Sequence, residues 1–182
     1  MFKNIEGLEL IDGKTFSDNR GYFRETYRRH SFTDIIGRDI EFVQDNESLS
    51  RQVGVMRGLH FQRPPHVQAK LVRVVCGSIF DVVVDLRPFS PTFRQWWSFE
   101  LNAENGVQLF VDGGFAHGFC TLSENTVVTY KVSDYYAPEC DGGIRWNDPD
   151  LAIPWPFDDS SVIISDKDSS LPFLSQLDPI EW

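Results

Sequence analysis

Short apolar stretches recur along this chain about every ten residues. The segments between them contain turn-forming residues and do not show the periodicity of helices. Closely spaced short strands are typical of β-sandwiches and jelly rolls. The sequence therefore predicts an all-β fold with strands at 6–11, 21–27, 40–48, 53–62, 68–75, 78–86, 95–101, 107–111, 116–122 and 125–134. One short helix is predicted at 31–36, where Ser31 caps it, Asp34 completes a capping box and Gly37 ends it.

The 182 residues are expected to form one domain, because no linker, repeat or low-complexity tract interrupts them. The amino-acid composition changes after Tyr136, where Pro, Asp and Trp become frequent. A strand and a helical turn are predicted within 160–174. We expect this tail to wrap the same core as the strands.

Charge narrows the classes of partner. The chain has 27 acidic and 17 basic residues, a formal net charge of −10, which argues against nucleic acid or an anionic membrane as the main partner. An anionic small molecule is still possible as a ligand, since a few arginines can attract it locally within a Debye length of about 8 Å.

Localisation is predicted from what the sequence lacks. No run approaches the roughly 20 apolar residues of a membrane span, and residues 1–6 do not resemble the start of a signal peptide. Cys76, Cys120 and Cys140 are too scattered for a disulfide framework or a zinc knuckle. We expect a cytoplasmic protein with reduced thiols.

A histidine and a lysine stand out within two apolar strands. Alternation places His60 and Gln62 on one face of the strand at 55–62, and Arg57 on the other. If this strand and the next form a hairpin centred near position 65, His60 faces Lys70 about 5 Å away. A single histidine in a strand is more often a hydrogen-bonded core residue, but a lysine and a glutamine on the same face favour a functional site.

Other polar residues share strand faces. His117 lies with Phe115 and Phe119 after a Gly-Gly turn, and a core histidine that only orients a neighbour explains it equally well. Tyr130 alone suits an ordinary strand position. Alternation also groups Gln44, Asn46 and Ser48 on one face.

A metal site is not expected. Jelly-roll metal sites place imidazoles two residues apart on one strand, but Gln62 follows His60 at that spacing. His117 would be the only good second ligand, and two histidines with a glutamine make a poor set.

Motifs spread over nearly the whole chain resemble the dTDP-4-dehydrorhamnose 3,5-epimerase family of the cupin superfamily. The resemblance implies a double-stranded β-helix jelly roll with a few short helices. The segments that carry it are RGYFRE at 20–25, QDNES at 44–48, RGLHFQ at 57–62, QAKLV at 68–72, DVVVDLR at 81–87, GFAHGF at 114–119, YKVSDYYAPE at 130–139 and SDKD at 165–168.

The resemblance implies proton transfer on a nucleotide-linked 4-keto-6-deoxyhexose, whose C4 carbonyl acidifies the C3 and C5 hydrogens. Such an epimerase needs a base, an acid on the opposite face and a cation near the carbonyl oxygen. His60 matches the family's base, Lys70 the group for the enolate oxygen and Tyr130 the proton donor. Asp168 matches the carboxylate that orients His60, although Asp166 beside it leaves the choice open.

The resemblance also implies binding roles. Arg57 matches a phosphate contact, Gln44 and Asn46 match nucleotide contacts, and Tyr136 matches an aromatic residue that lines the pocket; His117 is placed with these substrate-binding residues. A homodimer is implied, because the family supplies the residues that match Arg20, Phe23 and Glu25 from the neighbouring subunit through an exchanged N-terminal segment. No cofactor and no metal is required for proton transfer.

The most specific prediction is conversion of dTDP-4-dehydro-6-deoxy-D-glucose to dTDP-4-dehydro-L-rhamnose, within dTDP-rhamnose biosynthesis for cell-surface polysaccharide. Inversion at C3 or C5 alone, a related sugar or another nucleotide stays open. Two functions of other classes also stay open. One is a metal-dependent cupin oxygenase or isomerase. The other is a non-catalytic carbohydrate-binding module, although that function would not explain the set of His60, Lys70 and Tyr130.

Overall fold

A computed structural model describes residues 5–182 as two facing five-stranded antiparallel sheets and a separate two-stranded hairpin. The first four residues, which include most of the segment compared with signal peptides, lie outside the described part. The strands are β1 (Leu8–Ile11), β2 (Thr15–Asp18), β3 (Gly21–Arg24), β4 (Gln44–Ser50), β5 (Met56–Gln62), β6 (Lys70–Cys76), β7 (Ser78–Asp85), β8 (Trp96–Asn102), β9 (Gln108–Val111), β10 (Phe115–Thr121), β11 (Thr126–Val132) and β12 (Asp141–Gly143). The first sheet has the order β1-β9-β6-β11-β4, and the second has the order β12-β5-β10-β7-β8.

This architecture is a double-stranded β-helix jelly roll, so the predicted fold class is confirmed. The short helices are α1 (Arg29–Ile36), α2 (Asp166–Ser169) and a 3₁₀ turn (Leu174–Gln176). Helix α1 ends as predicted at Gly37, whose φ of 79° is the left-handed conformation that glycine adopts easily. Its predicted start is wrong, since the helix begins two residues earlier and its N-cap, Arg28, makes no side-chain capping bond.

The main core lies between the two sheets. The first sheet contributes Val72, Val74 and Leu109, and the second contributes Ile79 and Leu101, all at most 1% exposed. These side chains alternate along each strand with side chains that point to the outer face of the sheet. Each buried Val or Leu contributes about 1.5–3 kcal/mol of transfer free energy.

The C-terminal tail packs on the outer face of the second sheet instead of joining the core between the sheets. Ile144, Leu151 and Ile153 of the tail cover Leu59 and Val84. Our expectation that the tail wraps the same core is therefore corrected: it builds a second apolar layer. The predicted helical turn within 160–174 is present as α2, and the predicted strand is reduced to a single bridge between Val55 and Ile163.

The predicted hairpin between β5 and β6 is wrong. Strand β5 pairs with β10 and β12 in the second sheet, whereas β6 pairs with β9 and β11 in the first. The connection at 63–69, which contains Pro64 and Pro65, crosses from one sheet to the other. His60 and Lys70 consequently face each other across the interior of the sandwich, not along one sheet.

The hairpin β2–β3 and helix α1 lie beside the outer face of the first sheet. Strand β2 was not predicted, because all four of its residues are exposed and it has no apolar face to mark it. Within residues 5–182, no helix combines the length and apolarity needed to cross a membrane.

Candidate active site

A cavity of about 390 Å³ lies between the two sheets near the ends of β5 and β6. Polar side chains from both sheets line it, in contrast to the apolar core cluster that fills much of the sandwich interior. Its lining comprises Gln44, Asn46, His60, Phe61, Gln62, Gln68, Lys70, Tyr130, Tyr136, Asp141 and Lys167.

The wall formed by the first sheet follows from its strand register. Residues directly opposite each other on paired strands point to the same face. Two rows across β4, β11 and β6 therefore bring their members to the interior: Gln44–Val132–Lys70 and Asn46–Tyr130–Val72. The predicted common face of Gln44 and Asn46 is confirmed.

His60 stands on the opposite wall and pairs with Asp168. Its Nε2 lies 2.9 Å from Asp168 Oδ1, and the other carboxylate oxygen accepts a hydrogen bond of 3.0 Å from the Gly58 N–H. Burial alone would raise the pKa of Asp168, but the contacts from His60 and Gly58 outweigh it and lower that pKa. Asp166 is exposed, so Asp168 is the carboxylate that reaches His60.

A β-bulge in β5 brings Arg57 to the same face as His60. His117 of β10 is opposite His60, whereas Phe119, two residues later on β10, is opposite Arg57, three residues earlier on β5. The prediction that Arg57 points away from His60 is therefore wrong, because the extra residue reverses the alternation. Gly58 lies at the bulge with φ of 114°, and a Cβ there would lie 2.6 Å from the Gly118 Cα.

The guanidinium of Arg57 is directed toward β4. Its Nε donates to the Ser50 hydroxyl at 3.2 Å and its Nη2 donates to the Leu49 carbonyl at 3.3 Å. The positive charge of Arg57 also acts to lower the pKa of Tyr130. Arg57 is not among the residues that line the cavity, and these contacts leave its half-buried guanidinium with unused donors.

Lys70 is buried, and its Nζ donates to the His60 carbonyl at 3.3 Å. Burial lowers the pKa of Lys70 to about 8, while the negative charges of Asp141 and Asp81 oppose that change. The side chain is therefore mainly an ammonium at neutral pH, and its pKa depends first on burial and then on the charges of Asp141 and Asp81.

A second histidine–aspartate pair lies behind the first. His117 Nε2 is 2.8 Å from Asp81 Oδ2, and both side chains are buried. Asp81 Oδ1 has no hydrogen-bond partner among the described residues. Burial raises the pKa of Asp81, and His117 and Lys70 offset the rise only in part.

Tyr130 presents a half-buried phenol to the cavity. Burial raises its pKa above the usual value near 10, against the opposing charge of Arg57. The hydroxyl therefore keeps its proton at neutral pH and is able to donate it.

Two charged residues of the cavity were not singled out in the sequence. Lys167 forms an ion pair with Asp141, and the Tyr136 hydroxyl lies 3.4 Å from the same Asp141 carboxylate. Lys167 directly precedes Asp168 in the SDKD motif, so its presence near the site was predictable from that neighbour. Asp141 carried no such signal, because β12 is only three residues long.

Three predicted binding residues lie away from this cavity. Arg20 pairs with Asp18 at the exposed end of the β2–β3 hairpin. Phe23 and Glu25 line a separate cavity of about 520 Å³, which is bounded by the hairpin and α1. The single chain does not bring these three residues to His60.

Among residues 5–182, no group of three or more His, Cys, Asp and Glu side chains is arranged to hold a metal ion. What the cavity offers is a histidine oriented by a carboxylate, a buried ammonium and a protonated phenol. This combination suits removal of a proton next to a carbonyl, stabilisation of the resulting oxyanion and return of a proton.

Comparison with known proteins identifies the family of this chain. The family described as dTDP-4-dehydrorhamnose 3,5-epimerase matches residues 3–176. The chain belongs to this family. A dTDP-4-dehydrorhamnose 3,5-epimerase of Sinorhizobium fredii is 49% identical over 174 residues, which cover 96% of this chain and 88% of the relative.

Solved structures of the family share the fold over almost the whole chain. The dTDP-4-dehydrorhamnose 3,5-epimerase of Bacillus anthracis, determined with TDP and PPi bound, superposes with a TM-score of 0.91 at 49% identity and covers 96% of this chain and 98% of its own. The dTDP-6-deoxy-D-glucose-3,5-epimerase of Legionella pneumophila, in complex with dTDP-4-keto-L-rhamnose, has a TM-score of 0.91 at 43% identity, with coverages of 97% and 92%.

Proposed function

We propose that this protein is an isomerase that inverts C3 and C5 of dTDP-4-dehydro-6-deoxy-D-glucose to give dTDP-4-dehydro-L-rhamnose. The observation that carries the proposal is the His60–Asp168 pair, which faces the same cavity as Lys70 and Tyr130. Membership of the 3,5-epimerase family and the dTDP-sugar complex of the Legionella relative support this substrate class.

In this proposal His60 is the base. The C4 carbonyl of the substrate acidifies the hydrogens at C3 and C5, and neutral His60 removes one of them to form an enolate. Asp168 fixes the ring orientation through Nε2 and stabilises the imidazolium that forms. Nδ1 is then the nitrogen that accepts the substrate proton.

Lys70 stabilises the enolate oxygen. Its ammonium is buried, and a buried cation near a developing negative charge acts more strongly than one in water. Tyr130 returns a proton on the face opposite His60, which inverts the carbon. After each inversion His60 gives its proton to solvent and Tyr130 takes one from solvent, so the same two steps can invert the second carbon. The reaction moves protons without net electron transfer.

The nucleotide and diphosphate occupy the open side of the cavity in this proposal. Arg57 and Lys167 are cations suited to the diphosphate, and Gln44 and Asn46 supply polar contacts to the nucleoside. Tyr136 offers an exposed ring against which a base or sugar packs. His117 is buried behind His60 and outside the cavity lining, and in this proposal it supports the inner wall on which the sugar lies.

Incubation with dTDP-4-dehydro-6-deoxy-D-glucose in deuterium oxide tests the function. We expect NMR to show the L-rhamno product with deuterium at both C3 and C5. Deuterium at only one carbon would show that the enzyme inverts a single centre. Binding of the sugar without exchange at either carbon would contradict an enzymatic role.

We also propose a cytoplasmic homodimer of single-domain jelly-roll subunits. Arg20, Phe23 and Glu25 lie on or beside the protruding β2–β3 hairpin, away from their own chain's cavity, as expected if each hairpin completes the neighbour's site. The family resemblance of segment 20–25 supports this exchange.

Mixing two inactive variants tests the shared site. Arg20→Ala protein and His60→Ala protein, mixed under subunit exchange, should regain activity, because one of the two sites in each heterodimer has neither defect. A fully active monomer in solution would contradict the proposal.

A further inference from the structure

Gln62 is a buried glutamine whose amide nitrogen and oxygen both bond to backbone groups. It follows His60 by two residues on β5 and is 4% exposed. Its Nε2 donates to the carbonyls of His66 at 2.7 Å and Tyr135 at 3.1 Å, and its Oε1 accepts from the Ala137 N–H at 2.8 Å. This pattern also fixes the amide orientation, since a flipped amide would face its NH₂ toward an N–H group.

The segment held by Gln62 carries Tyr136. Strand β11 ends at Val132, so the backbone groups of 134–137 lose their ladder partners and side chains replace them. Gln68 donates to the Asp134 carbonyl at 2.8 Å, and Gln44 accepts from the Tyr136 N–H at 3.3 Å. Gln62 makes two such bonds, on either side of Tyr136, and it is the fully buried member of the three glutamines.

We infer that Gln62 is a positioning residue that holds the Tyr136 segment at a fixed distance from His60 and thereby sets affinity for the nucleotide. The inference rests on the proposed function and deepens it. Gln62 and His60 share one strand and one face. The Gln62 amide therefore ties the strand that carries His60 to the backbone on both sides of Tyr136. Without that link, the ring has to be ordered when the nucleotide binds, and this ordering costs affinity.

Gln62→Met tests the inference, because methionine keeps the length of the side chain and removes its hydrogen bonds. We expect the Kd for dTDP, measured by titration calorimetry, to rise about tenfold and KM to rise with it. We expect kcat to change by less than about threefold, because the His60–Asp168 pair stays in place. Gln176→Met is the matched control, since Gln176 accepts from the Phe173 N–H in an exposed 3₁₀ turn outside the cavity, and we expect its Kd to be unchanged.

A double-mutant cycle with Tyr136→Ala separates positioning from a general loss of stability. If Gln62 acts through Tyr136, Gln62→Met should weaken dTDP binding much less in the Tyr136→Ala background. Additive effects, or an unchanged Kd in Gln62→Met, would overturn the inference. If Gln62→Met fails to fold, Gln62→Glu takes its place in the same cycle, since the carboxylate keeps the acceptor for Ala137 and loses both donors. Absence of epimerisation by the wild type, with dTDP binding intact, would contradict the proposed function and leave this test in force.

Discussion

Two histidine–aspartate pairs have their histidines on the neighbouring strands β5 and β10, and their environments differ. His60 and His117 are opposite each other in β5 and β10, and each uses Nε2 to contact an aspartate, at 2.9 Å and 2.8 Å. The His60 side chain is 31% exposed, whereas that of His117 is 9% exposed. The Asp168 carboxylate has partners for both oxygens, but Asp81 has one oxygen without any among the described residues.

The difference shows why similar geometry gives different chemistry. A base must reach its substrate and must later release its proton. His60 suits this role because its side chain is accessible and because its partner Asp168, whose pKa is lowered, stays a carboxylate. The Asp81 pair is closed to solvent, and its charge acts instead on the buried Lys70. We therefore propose proton abstraction for the first pair and, for the second, electrostatic support of Lys70, the proposed stabiliser of the enolate.

The largest expected effect is that of His60→Ala on turnover. Removing a general base costs about 10²–10⁴-fold in rate, equivalent to about 3–5 kcal/mol of barrier. Product formation measured by NMR should fall by this factor, while dTDP binding and the thermal unfolding midpoint stay close to wild type. Near wild-type turnover would mean that the base is misassigned.

Tyr130→Phe should separate proton removal from proton return. Inverted product should decrease about 10²-fold, because the phenol is the proposed donor on the face opposite His60. Loss of substrate label at C3 or C5 should continue, since His60 is able to return a proton to the face from which it came. Equal loss of both would place Tyr130 in binding or enolate stabilisation.

Asp168→Asn should be milder than loss of the base. The amide keeps the size of the side chain but removes the charge that stabilises the imidazolium, and we expect a loss of about tenfold or more in kcat. Asp166→Asn is the matched control, because this neighbouring carboxylate is exposed, and it should change kcat little. Equal losses would show that the His60–Asp168 contact is not what matters.

Asp81→Asn should produce the smallest effect, a change in pH dependence. Lys70 has a pKa of about 8 that the negative charge of Asp81 helps to raise, so kcat/KM should fall above about pH 8 as the ammonium deprotonates. Removing that charge lowers the pKa of Lys70, and the alkaline limb should move to lower pH. An unmoved limb in the kcat/KM profile would separate Asp81 from Lys70.

Much of the fold was predictable because local patterns encode it. Alternation and turn residues located most strands, and Gly37 marked the end of α1. The pairing of β5 was not predictable, because a hairpin register assumes that consecutive strands are neighbours, whereas the seven-residue connection at 63–69 crosses between sheets. The bulge at Gly58 was equally hidden, since one extra residue reverses the alternation without changing the local composition.

The candidate site divides in the same way. His60 and Gln62 were identified from one face of the strand at 55–62 and Lys70 from the next strand, and the structure brings all three to the cavity. Asp168 lies 108 residues from His60 in sequence, and only the resemblance to a family connected them. The Asp81–His117 contact was not predicted, because it depends on the register of β7 with β10, which no local pattern specifies.

The two pairs are compared most directly by the rates of solvent deuterium incorporation at C3 and C5 in two matched variants, His60→Asn and His117→Asn, at saturating dTDP-4-dehydro-6-deoxy-D-glucose. If His60 removes the protons and the Asp81–His117 pair only supports Lys70 and the sugar, incorporation should be at least about tenfold slower in His60→Asn than in His117→Asn. Equal rates in the two variants, or a slower rate in His117→Asn, would contradict this division of roles.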